Sequence, residues 1–128
     1  MAKTRVLLAD DHQTMLARVR RELGEEFEIV ATVTDGKAAV EAALLYDPDV
    51  LVTDISMPVM DGLQVASALK ANHSRAKIVF LTIHEDADFF DAAFSAGASG
   101  YVTKARLSTD LIVAIRHVLR GHKFLSPR

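Results

Sequence analysis

Cysteine is absent from the 128 residues, which excludes a disulfide framework and any thiolate metal site. No apolar run approaches the roughly 18 residues that a membrane span requires. The opening Met1-Ala2-Lys3-Thr4-Arg5 leads into an apolar stretch, residues 6–9, too short for the core of a secretory signal. Excess charge of one sign is missing too, since 15 Lys and Arg stand against 17 Asp and Glu, a formal net charge of −2. That excludes the strongly basic field by which a domain advertises nucleic-acid binding. The expectation is a soluble cytoplasmic protein.

What is present is ordinary globular composition, half apolar and a quarter charged, at a length suited to one domain with its own core. Short β-rich apolar runs at residues 5–9, 28–32, 50–53, 78–82 and 100–103 alternate with longer stretches of helical period. Val6-Leu7-Leu8-Ala9 and Val50-Leu51-Val52 are continuously apolar, as parallel strands covered on both faces should be.

Met15, Leu16, Val19 and Leu23 share one face of a first predicted helix. Val40, Ala43 and Leu44 mark a second, with Thr34 or Asp35 as its cap; Leu63, Ala66 and Leu69 mark a third. Phe89, Phe90, Ala93 and Phe94 mark a fourth that stops at Gly97. Leu111, Ile112, Ile115, Val118 and Leu119 mark a fifth, opened by Ser108 and closed by Gly121. The pattern is β-α repeated, and right-handed crossovers then force an α/β doubly wound sheet with helices on both sides. Residues 1–120 form this domain; the tail 121–128 falls outside the pattern.

Ligands of open parallel sheets sit beyond the carboxyl ends of the strands. Those ends carry Asp10-Asp11, Asp54, Thr82 and Lys104. Taken alone, Asp10-Asp11 reads equally well as a turn with a helix cap, Thr82 as plain β-propensity and Tyr101 as a packed aromatic. Pro58, Asp61 and Gly62 read as loop punctuation. Together the strand ends form a constellation. Two carboxylates about 4 Å apart repel by roughly 4 kcal/mol at an effective dielectric of about 20, so a cation is required. Hard oxygen donors of this kind suit Mg²⁺ (or Mn²⁺). A carboxylate beside such an ion and a lysine can attack phosphorus and form an acyl phosphate.

The segment Asp54-Ile55-Ser56-Met57-Pro58-Val59-Met60-Asp61-Gly62 resembles the D-x-x-M-P-x-M-D-G signature of bacterial response-regulator receiver domains. Asp10-Asp11 resembles their acidic pair, Leu81-Thr82 their threonine strand end, and Gly100-Tyr101-Val102-Thr103-Lys104 their lysine segment. The resemblance runs from about Thr4 to Leu119. It implies a single (βα)5 flavodoxin-like domain whose parallel five-stranded sheet has the order 2-1-3-4-5. It implies that Asp54 is the phosphoacceptor, supplied by a sensor histidine kinase, a phosphotransfer protein or a small phosphodonor. Asp10, Asp11, Asp54 and the backbone carbonyl of Ser56 would hold Mg²⁺, Asp10 largely through water. Lys104 and Thr82 would bind the phosphoryl group. Thr82 and Tyr101 would be the switch, with Tyr101 turning inward and the face around the fourth and fifth helices changing. Met57, Pro58, Asp61 and Gly62 shape the site loop, and Ile83 and His84 control access.

Finer cues, Asp10-Asp11-His12, Leu81-Thr82-Ile83-His84 and Ala96-Gly97-Ala98-Ser99-Gly100-Tyr101, are similar to the NarL/FixJ-like (LuxR-type) regulators, which carry a C-terminal helix-turn-helix that binds DNA. Gly121-His122-Lys123-Phe124-Leu125-Ser126-Pro127 resembles the start of their interdomain linker. The implied whole is a transcriptional regulator, a homodimer on activation, that meets DNA only through that further domain and no membrane. It would catalyse its own phosphorylation and dephosphorylation without being a turnover enzyme. The alternatives are a stand-alone receiver acting by protein docking and an Mg²⁺-dependent aspartyl-phosphate phosphatase, although the latter wants an acid where Ser56 stands. Two departures from the receiver pattern are Gln13 and Ala105, each at a place where proline is frequent; Ala105 leaves the isomer of the Lys104–Ala105 peptide open.

Overall fold

The computed structural model describes residues 2–127. In chain order the elements are β1 (Thr4–Ala9), α1 (Gln13–Leu23), β2 (Phe27–Val33), α2 (Gly36–Tyr46), β3 (Val50–Thr53), α3 (Gly62–Ala71), β4 (Lys77–Thr82), α4 (Ala87–Ser95), β5 (Gly100–Thr103), α5 (Leu107–Leu119) and β6 (Phe124–Leu125). The six strands run parallel in the order β2-β1-β3-β4-β5-β6. The doubly wound (βα)5 architecture and the order 2-1-3-4-5 are as expected, and β6 extends the sheet by one short strand.

Alternation of side chains across the strands divides the interior in two. Val6, Leu8, Val52 and Leu81 face α1 and α5, meeting Leu16, Val19, Leu111 and Ile115. Leu7, Leu51, Phe80 and Tyr101 face the other way, toward Ala43 of α2, Val65 of α3 and Phe90 of α4. Every residue of β3 and β5 is buried, which accounts for the continuously apolar run Val50-Leu51-Val52.

Local chemistry explains the element ends. Asp35, not Thr34, caps α2, its Oδ1 accepting from Ala38 N at 2.8 Å. Asp61 opens α3 in a reciprocal capping box with Gln64. Gly97 closes α4 at φ 112° and Gly121 follows α5 at φ 84°, both left-handed positions that favour glycine.

Three expectations are corrected. Leu44 does not face the core: it is half exposed, and α2 packs through Gly36, Ala39, Ala42 and Ala43. At the start of the helix the approach is so close that a Cβ on Gly36 would lie 2.0 Å from Met60 O. Leu119 is likewise 41% exposed at the end of α5. Ser108 does not open α5, because a 3₁₀ turn over Lys104–Arg106 runs straight into the helix and makes Arg106 the cap position.

Candidate functional site

Register builds the site. Ala9 pairs with Thr53, so Asp10 and Asp54, the next residues on neighbouring strands, leave the sheet side by side, and Asp54 N donates to Ala9 O at 3.0 Å. Lys104 follows β5, two strands over, and its long side chain spans the gap. Its Nζ lies 2.9 Å from Asp54 Oδ2 and 3.0 Å from Asp10 Oδ2. All three side chains are nearly buried. Burial alone would lower the Lys104 pKa, but hydrogen bonds to Asp54 and Asp10, with their charges, hold it above the ordinary lysine value.

Asp11 completes the acidic cluster, and its carboxylate is about one-third exposed. One ligand atom from each of Asp10, Asp11, His12 and Asp54 lies within 4.8 Å of the others. His12 sits with Nδ1 3.1 Å from both Asp10 Oδ1 and Asp11 Oδ1. Its adjacency to the acid pair was the signal available. Three carboxylates against one ammonium leave a formal charge of −2 over the cluster. Mostly oxygen donors with that charge fit a hard divalent cation.

The loop after Asp54 is tightly built. Asp54 Oδ1 accepts from Ile55 N at 2.7 Å, and Gly62 N donates to Ile55 O at 2.6 Å. A side chain at Gly62 would place Cβ 2.3 Å from Asp54 O, so only glycine lets α3 start this close to the acid. Pro58 O accepts from Met60 N and from Gly36 N, and Met57 Sδ contacts Thr53 Oγ1. Ser56 is exposed, with its Oγ 2.9 Å from His84 Nε2, a link between the β3–α3 and β4–α4 loops that the sequence did not disclose. No peptide bond is cis among the described residues, so Lys104–Ala105 is trans.

This arrangement matches a known family. The sequence fits the response regulator receiver domain over residues 6–116.

The chain belongs to that family.

Among its relatives, the chemotaxis protein CheY of Halobacterium salinarum is 40% identical over 119 residues, covering 93% of this chain and 98% of that protein. The transcriptional regulatory protein DegU of Brevibacillus brevis is 35% identical over 98% of this chain but only 54% of DegU. The receiver thus spans little more than half of several curated relatives that it matches. Among solved structures, the signal receiver domain of NarL from Mycobacterium tuberculosis superposes with a TM-score of 0.91 at 30% identity, covering 95% of this chain and all of that one. A LuxR-family two-component response regulator from Aurantimonas sp. gives 0.93 at 31% identity, covering 98% and 91%.

Of the two residues expected to switch, Thr82 ends β4 and Tyr101 lies in β5, and both meet His84. Thr82 is fully buried and its Oγ1 accepts from His84 N at 3.3 Å. Tyr101 already points inward: it is fully buried, edge-on to Phe90 at 4.7 Å, with its hydroxyl donating to His84 O at 2.7 Å. Burial first, then the negative charges of Asp54, Asp86 and Glu85, push its hydroxyl pKa well above the ordinary tyrosine value. His84 stacks on Phe89 at 4.0 Å. Ile83 is 72% exposed and joins His12, Thr14, Met15 and Ser56 around an open cavity of about 420 Å³ that reaches Asp54 and Lys104. A cavity of similar size, about 450 Å³ and lined by Ala76, Lys77 and Ser99, lies at the opposite end of the strands, away from the acids.

Proposed function

We propose that this receiver is phosphorylated on Asp54, with Mg²⁺ (or Mn²⁺) held by Asp10, Asp11, Asp54 and the Ser56 carbonyl. The observation that carries the reading is the convergence of Asp10, Asp54 and Lys104 within 3.0 Å contacts, beside Asp11 and open to solvent through one cavity. A bound divalent ion would neutralise the carboxylates and the phosphoryl oxygens. Asp54 then attacks phosphorus of a phosphohistidine or small phosphodonor, the bond to the leaving group breaks, and an acyl phosphate forms. Lys104 moves from pairing with carboxylate to pairing with phosphoryl oxygen. The Thr82 hydroxyl exchanges the His84 amide for the same group, which ties the chemistry to Tyr101 through His84.

Acetyl phosphate with Mg²⁺ should add the mass of one phosphoryl group at Asp54. The gain should vanish in Asp54→Asn and in chelator; label on another residue would refute the assignment. Ile83 stands at the mouth of the cavity, so its bulk shields the acyl phosphate from water. Ile83→Ala should therefore shorten the phosphoryl lifetime several-fold, and an unchanged lifetime would remove this role.

The output we propose is transcriptional, through a DNA-binding domain after a linker beginning near Gly121, because DegU and similar relatives extend well beyond the matched segment. In this reading a sensor histidine kinase or phosphotransfer protein supplies the phosphoryl group in the cytoplasm, and activation favours a homodimer. The domain works as a switch, not a turnover enzyme. A stand-alone docking role is the second reading, favoured by the match to nearly all of CheY. The reading frame beyond residue 128 separates the two: a helix-turn-helix supports the first, a stop codon the second.

A further inference from the structure

The tail, which the sequence pattern left outside the domain, is clasped to the outer edge of β5. Phe124 N donates to Ser99 O at 3.0 Å and Ser126 N to Tyr101 O at 2.9 Å. Ser126 Oγ donates to Asp110 Oδ2 at 2.7 Å while accepting from Thr103 N at 3.3 Å. Asp110, on α5, is itself held by Arg106 Nε at 2.8 Å. Ser126 is 2% exposed, whereas the neighbouring Leu125 is 44% exposed. Phe124 packs against the core and His117, but Leu125 is half exposed, so the end of the tail beyond Phe124 is held chiefly by the polar contacts of Ser126, and such a short unit opens at low cost. Its partner is the backbone of Tyr101, whose hydroxyl donates to His84 O; the His84 N–H in turn donates to Thr82 Oγ1, and the His84 ring meets Ser56 in the loop after Asp54.

We propose that Leu125-Ser126 is a latch seated on the edge of β5 and Asp110, and that its grip is coupled through Tyr101 to occupation of the Asp54 site. The coupling rests on the proposed role of Asp54; the latch does not. In this structure the docked tail and the inward Tyr101 occur together, so occupation of Asp54 that favours the inward ring also favours docking. Linkage makes the effect mutual: loosening the tail weakens binding at Asp54.

Amide hydrogen exchange on the whole chain, with Mg²⁺ and beryllofluoride as the probe, tests both parts. Without the probe, Ser126→Ala should speed exchange at Thr103 and at position 126 by about tenfold, the scale of losing a hydrogen bond to a charged group. Ser126→Thr keeps the hydroxyl, and its added methyl lies beside a cavity of about 330 Å³ that Ser126 lines, so protection should return. Unchanged protection in Ser126→Ala would overturn the latch. In the wild type the probe should slow exchange at Ser126, and Ser126→Ala should weaken probe binding several-fold. Probe bound with no change in tail protection would overturn the coupling. A wild type that fails to bind the probe would contradict the Asp54 assignment and leave the latch to be decided by the first comparison.

Discussion

Val59 stands at φ 73° in the loop beside Asp54, a left-handed conformation that a β-branched side chain adopts only under strain. Met60 N donates to Pro58 O at 2.9 Å around it, closing a γ-turn of the rarer, strained hand. The side chain is 74% exposed, so little packing compensates. Val59→Gly should relieve about 1–3 kcal/mol of strain against roughly 0.7 kcal/mol of added chain entropy, a net gain of about 1 kcal/mol. Urea unfolding checks this, and a less stable Val59→Gly would show that the valine is held without strain. At the same scale, the site residues were the most legible part of the sequence. Asp10, Asp54, Thr82 and Lys104 stood out because a carboxylate, hydroxyl or ammonium ended an otherwise apolar run. The Ser56–His84 contact was not legible, because it depends on how two loops approach each other and not on any period.

At the scale of elements, α5 and β6 are joined by a polar clasp centred on Asp110, whose side chain is 9% exposed. Burial alone would raise its pKa, but hydrogen bonds from Arg106, Ser126 and Thr109, with the Arg106 charge, hold it below the ordinary carboxylate value of 3.8. A depressed carboxylate contributes stability that is fully present above its unfolded pKa and is lost as pH falls through its folded pKa. Asp110→Asn should therefore cost about 2 kcal/mol at neutral pH, the scale of weakened hydrogen bonds to a charge. The gap between wild type and variant should narrow as pH drops below about 3.8, followed by chemical denaturation at several pH values. A gap independent of pH would mean that the charge of Asp110 contributes nothing. The clasp was invisible beforehand: β6 is two residues long with a half-exposed leucine, too short to carry a strand pattern. Leu44 misled for the opposite reason, since hydrophobicity favoured it while the fully buried positions of α2 hold only alanine and glycine. The inner strands were legible because both their faces are covered, and the edge strand β2 by its β-branched run Ile29-Val30.

Across the whole molecule, both hydrophobic layers lie along the length of the sheet and the charge problem lies at one end of it. The cluster of Asp10, Asp11, Asp54 and Lys104 carries a formal charge of −2, as much as the entire chain. The fold therefore holds a local excess of negative charge that a divalent cation would relieve, and binding to the folded state alone raises stability by mass action. At 100 times its dissociation constant, Mg²⁺ should add about 2.7 kcal/mol. A thermal melt should show a saturable rise that is lost in Asp11→Asn; a rise of equal size in that variant would place the ion elsewhere. No helix among the described residues is long and apolar enough to cross a membrane.

In the function proposed here these acids share one cation, which makes Asp54 able to accept phosphorus. A crystal structure of the chain grown with Mg²⁺ and beryllofluoride tests it most directly. Beryllium trifluoride should sit on the Asp54 carboxylate, with one metal ion touching both Asp11 and Asp54 and the Lys104 ammonium turned to a fluoride. Asp54 without the adduct at saturating probe, or the ion bound away from Asp11, would contradict it.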